Sequence, residues 1–161
     1  MSDGLDQLED LAGALLRNIA PAERRTLLRT VAREIAKSQR TRIAAQMQPD
    51  GTPFAPRKAK DQPKGRLRRK GRIKRAAMFR KLRLGKNLQA GATDTEAWIG
   101  FSGSAARVAR IHQEGREDAP VKGQAKVRYP KREILGSTEA DRMFLLEQAI
   151  SFILTGKNKL S

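Results

Sequence analysis

One stretch dictates what this chain can fold into. Arg57 to Lys86 holds fifteen Lys or Arg residues and a single acid, Asp61, for a net charge of +14. The whole chain is +17, so everything outside this stretch nets only +3. A run this basic cannot pack in a core, because burying an unpaired charge costs on the order of several kcal/mol. It must lie in water or against something acidic. The remainder reads as a scaffold that carries it, with two helices before the stretch and a mixed strand and helix region after it.

A length of 161 residues predicts a single domain over 1–161 with mobile ends. Hydrophobic residues make up 39% and aromatic ones only 4%, so the core is expected to be thin, largely aliphatic and supplemented by helix burial or self-association. There is no cysteine, which excludes disulfides, thiolate metal sites and a cysteine nucleophile. No apolar run approaches the roughly 20 residues needed to span a bilayer. Met1 to Asp10 is acidic and lacks the basic and apolar regions of a signal peptide, so a soluble intracellular protein is expected. A pI near 11.2 points to nucleic acid, an acidic protein surface or anionic lipid as partner, and charge alone does not choose among them.

Leu5, Leu8, Leu11, Leu15 and Ile19 recur at three- and four-residue steps, one face of a first helix with Asp3, Asp6, Glu9 and Asp10 in its early turns. Pro21 suits the first turn of a second helix, expected from Pro21 to Met47. Its buried stripe reads as Leu27 or Leu28, Val31, Ile35, Ser38, Arg42 and Ile43. Its wet side reads as Arg24, Arg25, Arg29, Arg33, Lys37 and Arg40, a solvated helix face. Pro49-Asp50-Gly51 ends the helix in a turn, and the prolines around Phe54 predict an extended segment that pins its ring to the core.

Residues 57–75 are expected to form a mobile basic loop, and Ile73 to Leu84 a short helix ended by Gly85. A hairpin is expected between about Leu84–Ala90 and Ala97–Ser102, with Thr93-Asp94-Thr95 as the turn. Ser104 reads as the cap of a helix over Ala105 to Gln113 that buries Val108 and Ile111 and stops at Gly115. Arg116 to Lys126 reads as loop, Val127 to Pro130 as a short strand and Lys131 to Leu135 as a turn of helix. A last helix follows, with Thr138 and Asp141 as a variant capping box and Leu145, Leu146, Ala149, Ile150, Ile153 and Leu154 as its apolar face. Residues 155–161 are expected to be a flexible tail.

Catalysis finds little support. His112 is the only histidine, and no second base, nucleophile elbow or clustered carboxylates accompany it. A histidine at a helix end that bonds backbone or a partner is the simpler account. No carboxylate spacing predicts a metal site, and Lys64-Gly65 and Lys70-Gly71 lack the spacing of a phosphate loop. No catalytic residue, cofactor or metal is therefore expected. The basic residues Arg57, Lys58, Arg66, Arg68, Arg69, Lys70, Arg72, Lys74, Arg75, Arg80 and Lys81 are the candidates for docking a partner or DNA. Against nucleic acid they would give salt-sensitive, sequence-blind affinity, since Phe79 is the only aromatic residue in the run.

Four segments carry a resemblance. They are Ile19 to Arg29, Gln48-Pro49-Asp50-Gly51-Thr52-Pro53-Phe54-Ala55-Pro56-Arg57, the run Leu67 to Arg75 through Met78-Phe79, and Ile99-Gly100-Phe101 with Ala106 to Gly115 and Val127 to Gly136. In this order they resemble the phage virion morphogenesis family, the tail-completion proteins of temperate contractile-tailed phages. The resemblance covers nearly the whole chain, and Leu154 to Ser161 has no counterpart in it. It implies a non-enzymatic structural virion protein that acts late in tail assembly at the head-proximal end of the tail and enables head–tail joining. It also implies an α+β subunit arranged as a ring such as a hexamer, placed in the neck region of the virion tail and in the host cytoplasm during assembly. Its partners would be copies of itself, tail tube or sheath subunits, head–neck connector proteins and DNA in the channel. Asp50, Gly51, Phe54, His112, Gly115 and Tyr129 are the expected interface or structural residues. The alternative is a sequence-nonspecific nucleic-acid-binding protein acting through 57–86.

Overall fold

The computed structural model describes residues 19–56, 77–119 and 123–155. In chain order these form α1 (Pro21–Ala45), β1 (Leu88–Ala92), β2 (Ala97–Phe101), α2 (Gly103–Glu114), β3 (Glu117–Asp118), β4 (Val127–Arg128) and α3 (Glu139–Thr155). Helices with two small two-stranded sheets, β1–β2 and β3–β4, make an α+β chain, as the sequence predicts. The expected first helix over residues 2–18, the loop over 57–75 and the tail after residue 155 lie outside the described residues. Among the described residues, no helix is long and apolar enough to cross a membrane. The described residues fall into two compact units, one of 19–38, 88–100 and 137–155, the other of 39–56, 77–87, 101–119 and 123–136.

In the first unit, α1 starts where expected. Pro21 needs no hydrogen-bond acceptor for its nitrogen, and the Ala20 carbonyl accepts from the N–H groups of Glu23 and Arg24 at 3.0 and 3.1 Å. Leu27 and Val31 of α1 and Phe152 of α3 form the core, flanked by Ile19, Ile35 and Phe144. Arg25, Arg29, Arg33 and Lys37 are exposed, whereas Arg24 is half-buried and reaches Asp94 at 3.8 Å. The hairpin turn closes as the threonines predict: Thr93 donates its N–H to the Glu96 carbonyl at 2.8 Å, and its hydroxyl accepts from the N–H groups of Thr95 and Glu96. Trp98 of β2 lies across Gly91 of β1, where a Cβ would stand 2.4 Å from the indole. The first strand is shifted from the expected 84–90 to 88–92, because residues 80–87 are spent in turns, while the second lies at 97–101, within the expected 97–102.

The start of α3 is a capping box of the expected composition. The Thr138 N–H donates to Asp141 Oδ2 at 3.0 Å, and the Asp141 N–H to Thr138 Oγ1 at 3.1 Å. Its buried face differs from the expected one. Asp141, Gln148 and Phe152 are buried and Phe144 is half-buried, while Leu145, Leu146, Ala149, Ile150 and Leu154 are exposed. The helix is apolar round most of its circumference, so periodicity did not single out a side, and the bulk of Phe144 and Phe152 decided it.

In the second unit, Ile43, Leu82, Ala105, Ala109 and Ile134 form the core, with Phe79 and Phe101 packed against it. The helix α2 starts two residues earlier than expected, after Ser102, and Ser104 lies inside it. Ser102 does not cap with its side chain; its hydroxyl donates to the Lys86 carbonyl and its N–H to that of Asn87. Ala105 and Ala109 let α2 approach the core closely, and this turns Val108 outward rather than inward as expected. The described part of the expected 73–84 helix is a run of turns, because Phe79 adopts φ +60° and breaks the helical path. Lys131 to Leu135 is not helical either; side chains from elsewhere hold it in an irregular path. The short strand Val127–Arg128 pairs antiparallel with Glu117–Asp118, Glu117 facing Arg128 and Asp118 facing Val127.

Gly115 ends α2 in the left-handed conformation, φ +69°, with its N–H donating to the Ile111 carbonyl. A Cβ there would lie 3.1 Å from the Lys131 backbone nitrogen. Gly115→Val therefore meets both a forbidden φ and a backbone neighbour. We expect a loss of about 2–3 kcal/mol, read as a melting temperature lower by roughly 5–10 °C. An unchanged melting curve would refute this account of the helix end.

Candidate docking site at the stem of the basic segment

The two points where the basic segment leaves and rejoins the described chain, Pro56 and Ala77, both belong to the second unit. Each is fixed by a side chain. The entry is built first by the end of α1. Gln46 takes the left-handed conformation, φ +63°. Its N–H donates to the Ile43 carbonyl at 3.2 Å, and that of Met47 to Arg42 at 3.2 Å, the paired bonds of a Schellman cap. The chain then reverses at Pro49-Asp50-Gly51, with Gly51 at φ +82°. Asp50 accepts from the Thr52 N–H at 2.9 Å and the Thr52 hydroxyl at 2.6 Å. These bonds hold the Asp50 carboxyl below its ordinary pKa, the hydroxyl contributing most and the backbone N–H next. The returning strand donates from Phe54 to the Gln46 carbonyl at 2.8 Å, which seats the Phe54 ring in the core.

Arg132 then clamps the entry. It is only 2% exposed. Its Nε donates to the Ala55 carbonyl at 2.7 Å and its Nη2 to that of Pro56 at 2.9 Å. Its Nη1 lies 3.0 Å from His112 Nδ1. A guanidinium can only donate, so Nδ1 is the acceptor and the imidazole proton sits on Nε2. The exit is clamped by Gln46. Its side-chain carbonyl accepts from the Met78 N–H at 2.5 Å, and its amide donates to the Met78 carbonyl at 3.0 Å and to Ile43 at 2.6 Å. One glutamine thus joins the helix end to the chain as it returns from the basic segment.

Aromatic rings join entry to exit. Phe54 meets Phe79 edge-on with centroids 5.4 Å apart, Phe79 meets His112 at 4.9 Å, and His112 meets Tyr129 at 5.0 Å. Each such pair is worth about 0.5–1.5 kcal/mol beyond its buried area. Beside the rings opens a groove of about 440 Å³, with Phe79, Leu82 and Val108 on its apolar side and Arg80, Lys81 and His112 around them.

Among the expected docking residues, Arg80 and Lys81 are exposed on the turns beside this stem. Arg57, Lys58, Arg66, Arg68, Arg69, Lys70, Arg72, Lys74 and Arg75 lie outside the described residues. Phe54, His112 and Tyr129 come together in the ring chain, Asp50 and Gly51 form the exposed turn, and Gly115 caps α2. Sequence reading missed Gln46 and Arg132. Gln46 carried no signal, because its role depends on a peptide 32 residues away, and the carbonyls that Arg132 holds are 76 and 77 residues away. Among the described residues no group of His, Asp and Glu gathers that could hold a metal ion.

Gln46→Ala keeps the left-handed backbone and removes both bonds to Met78, so we expect a loss of about 1–3 kcal/mol and faster proteolysis at the 77–87 turns. Equal stability and equal cleavage would disprove the clamp. The Asp50 carboxylate stabilises the turn only while ionised. Its folded pKa is depressed, so the stability that wild type gains over Asp50→Asn is full above the ordinary carboxylate range and is lost as pH falls through the lowered value. The melting difference between the two should therefore close in acid; a gap that persists or grows there contradicts the assignment.

Comparison with known proteins bears on this site. The model of a family described as the phage virion morphogenesis family matches residues 3–153, a span that includes the basic segment and both clamps. The chain is 34% identical over 144 residues to tail completion protein S of Escherichia phage P2, covering 88% of this chain and 91% of that protein. No solved structure matches. With the match running through nearly the whole chain, this protein belongs to the phage virion morphogenesis family, the tail-completion proteins of the P2 kind.

Proposed function

We propose that this chain is a non-enzymatic structural protein that completes the phage tail at its head-proximal end and enables head–tail joining. The observation that carries the proposal is the near full-length relation to a protein named for tail completion, 34% identical across 91% of its length. The geometry supports a docking role. Residues 57–76 carry eleven Lys or Arg and one acid, and their two ends are held together by Arg132, Gln46 and the Phe54–Phe79 contact. Eleven cations with a single acid suit an acidic partner better than a core. The partner surfaces are acidic patches on tail tube, sheath or neck connector subunits, or DNA in the channel, and the chain acts as a homo-oligomeric ring in the neck after assembly in the host cytoplasm. The bonding of His112 to Arg132 suits a structural histidine better than a general base.

The +14 charge of 57–86 also favours a second reading, sequence-nonspecific nucleic-acid binding. One variant set addresses both. Arg68→Glu, Arg69→Glu, Arg72→Glu and Lys74→Glu combined should leave circular dichroism and melting unchanged and abolish infectious phage, with heads and tails accumulating separately. Normal phage yield would end the docking role. Unjoined heads and tails from a variant whose wild-type parent shows no salt-dependent duplex binding would assign the segment to a protein surface. A wild-type affinity that falls with salt by about 0.9 log units per log unit of salt for each phosphate contacted would assign it to DNA.

A further inference from the structure

Among the described residues of its unit, the outer face of α3 is exposed. Met143, Leu146, Ile150 and Leu154 are 55%, 59%, 48% and 77% exposed. At 100° per residue they fall, with Glu139 and Glu147, inside an arc of about 100° centred roughly 150° from the buried Phe144, Gln148 and Phe152. Ile19 packs with Phe152 on the buried side of α3. The face is also electrically distinct. In a chain of net +17, the charged residues inside this arc are both acids, Glu139, paired with Arg142 at 3.7 Å, and Glu147. Glu147 has no ion pair among the described residues.

The groove beside the stem has the opposite character. Its apolar side is Phe79, Leu82 and the outward-turned Val108, and Arg80 and Lys81, both exposed, supply positive charge. Its volume of about 440 Å³ suits a row of aliphatic side chains from a helix laid along it.

We propose that the outer face of α3 in one copy docks on the Phe79–Leu82–Val108 groove of a second copy. Leu146 and Ile150 enter the apolar side, and Glu147 meets Lys81 and Arg80. This rests on the reading that the chain assembles with itself, and it names the contact. Patch and groove are different surfaces present on every copy, so the contact is head-to-tail, the kind that closes into a ring. The stripe from Met143 to Leu154 is about 16 Å long. That is short of an interface burying about 800 Å² on each partner, so association through this contact depends on concentration.

The test is native mass against concentration at moderate salt on nuclease-treated full chain. Wild type should rise above the 17.9 kDa of one chain. Leu146→Asp, at an exposed position, should stay at one chain mass with unchanged circular dichroism. Glu147→Lys and Lys81→Glu should each weaken association about tenfold, and the two combined in one chain should restore it. Amide exchange on unaltered protein should slow over residues 143–154 as concentration rises. If wild type assembles and Leu146→Asp and both reversals assemble equally well, the proposed contact is wrong and the ring reading stands. If wild type is a monomer at every concentration and α3 exchange does not change, both the contact and self-assembly of the free chain are overturned.

Discussion

The second unit depends on satisfying one irregular stretch of backbone. Residues 132–136 form neither helix nor strand, yet Arg132 and Ile134 are buried there. Every buried N–H and C=O must find a partner, and a segment without a ladder must find it in side chains. Arg42 donates to the carbonyls of Glu133 and Ile134 at 3.3 and 2.7 Å. The Gln113 side chain accepts from the N–H groups of Ile134 and Leu135 and donates to the Leu135 carbonyl, and Gln48 accepts from Glu133. The end of α1, the chain after it and the end of α2 are thereby fastened to one strip. From that strip Arg132 reaches the entry of the basic segment, and Ile134 fills the centre of the core.

This fastening explains how so basic a segment is tolerated. Residues 57–76 carry a net +10. The clamps at Pro56 and Met78 are made of bonds to backbone, which do not depend on the sequence of the residues between them. The stem and the charge between its ends are therefore separable: residues 57–76 are free to be basic while the stem answers only to packing and hydrogen bonding.

How far this was legible in the sequence follows from the range of each interaction. The start of α1 at Pro21, the Thr93 turn, the Thr138–Asp141 box and the Gly115 cap are set by residues within a few positions of one another, and each was readable. The Asp50-Gly51 reversal and the inward Phe54 were readable for the same reason. The outward Val108, the non-helical turns around Phe79 and the irregular 131–135 strip were not. Each is decided by partners tens of residues away: alanines that set how close α2 comes, a ring that must meet Phe54 and His112, and carbonyls that must meet Arg42. Two clamps of the candidate site, Gln46 and Arg132, belong to this second group.

The distribution of charge sets the terms on which such a chain can assemble. Two copies cannot meet through segments of net +14 without a polyanion between them, since at physiological salt charges within about 8 Å still repel. A contact between copies must use a surface where the cationic excess is absent, and α3 supplies one, with an apolar stripe flanked by acids. On the proposed reading the two functions divide accordingly: α3 meets a copy of the same chain, and the basic segment is kept for an acidic partner. The groove assigned to α3 shares Phe79 and His112 with the stem. A neighbour seated there would press on the ring that joins Phe54 to His112, so subunit contact would stiffen the base from which the basic segment is presented. Assembly would then sharpen docking.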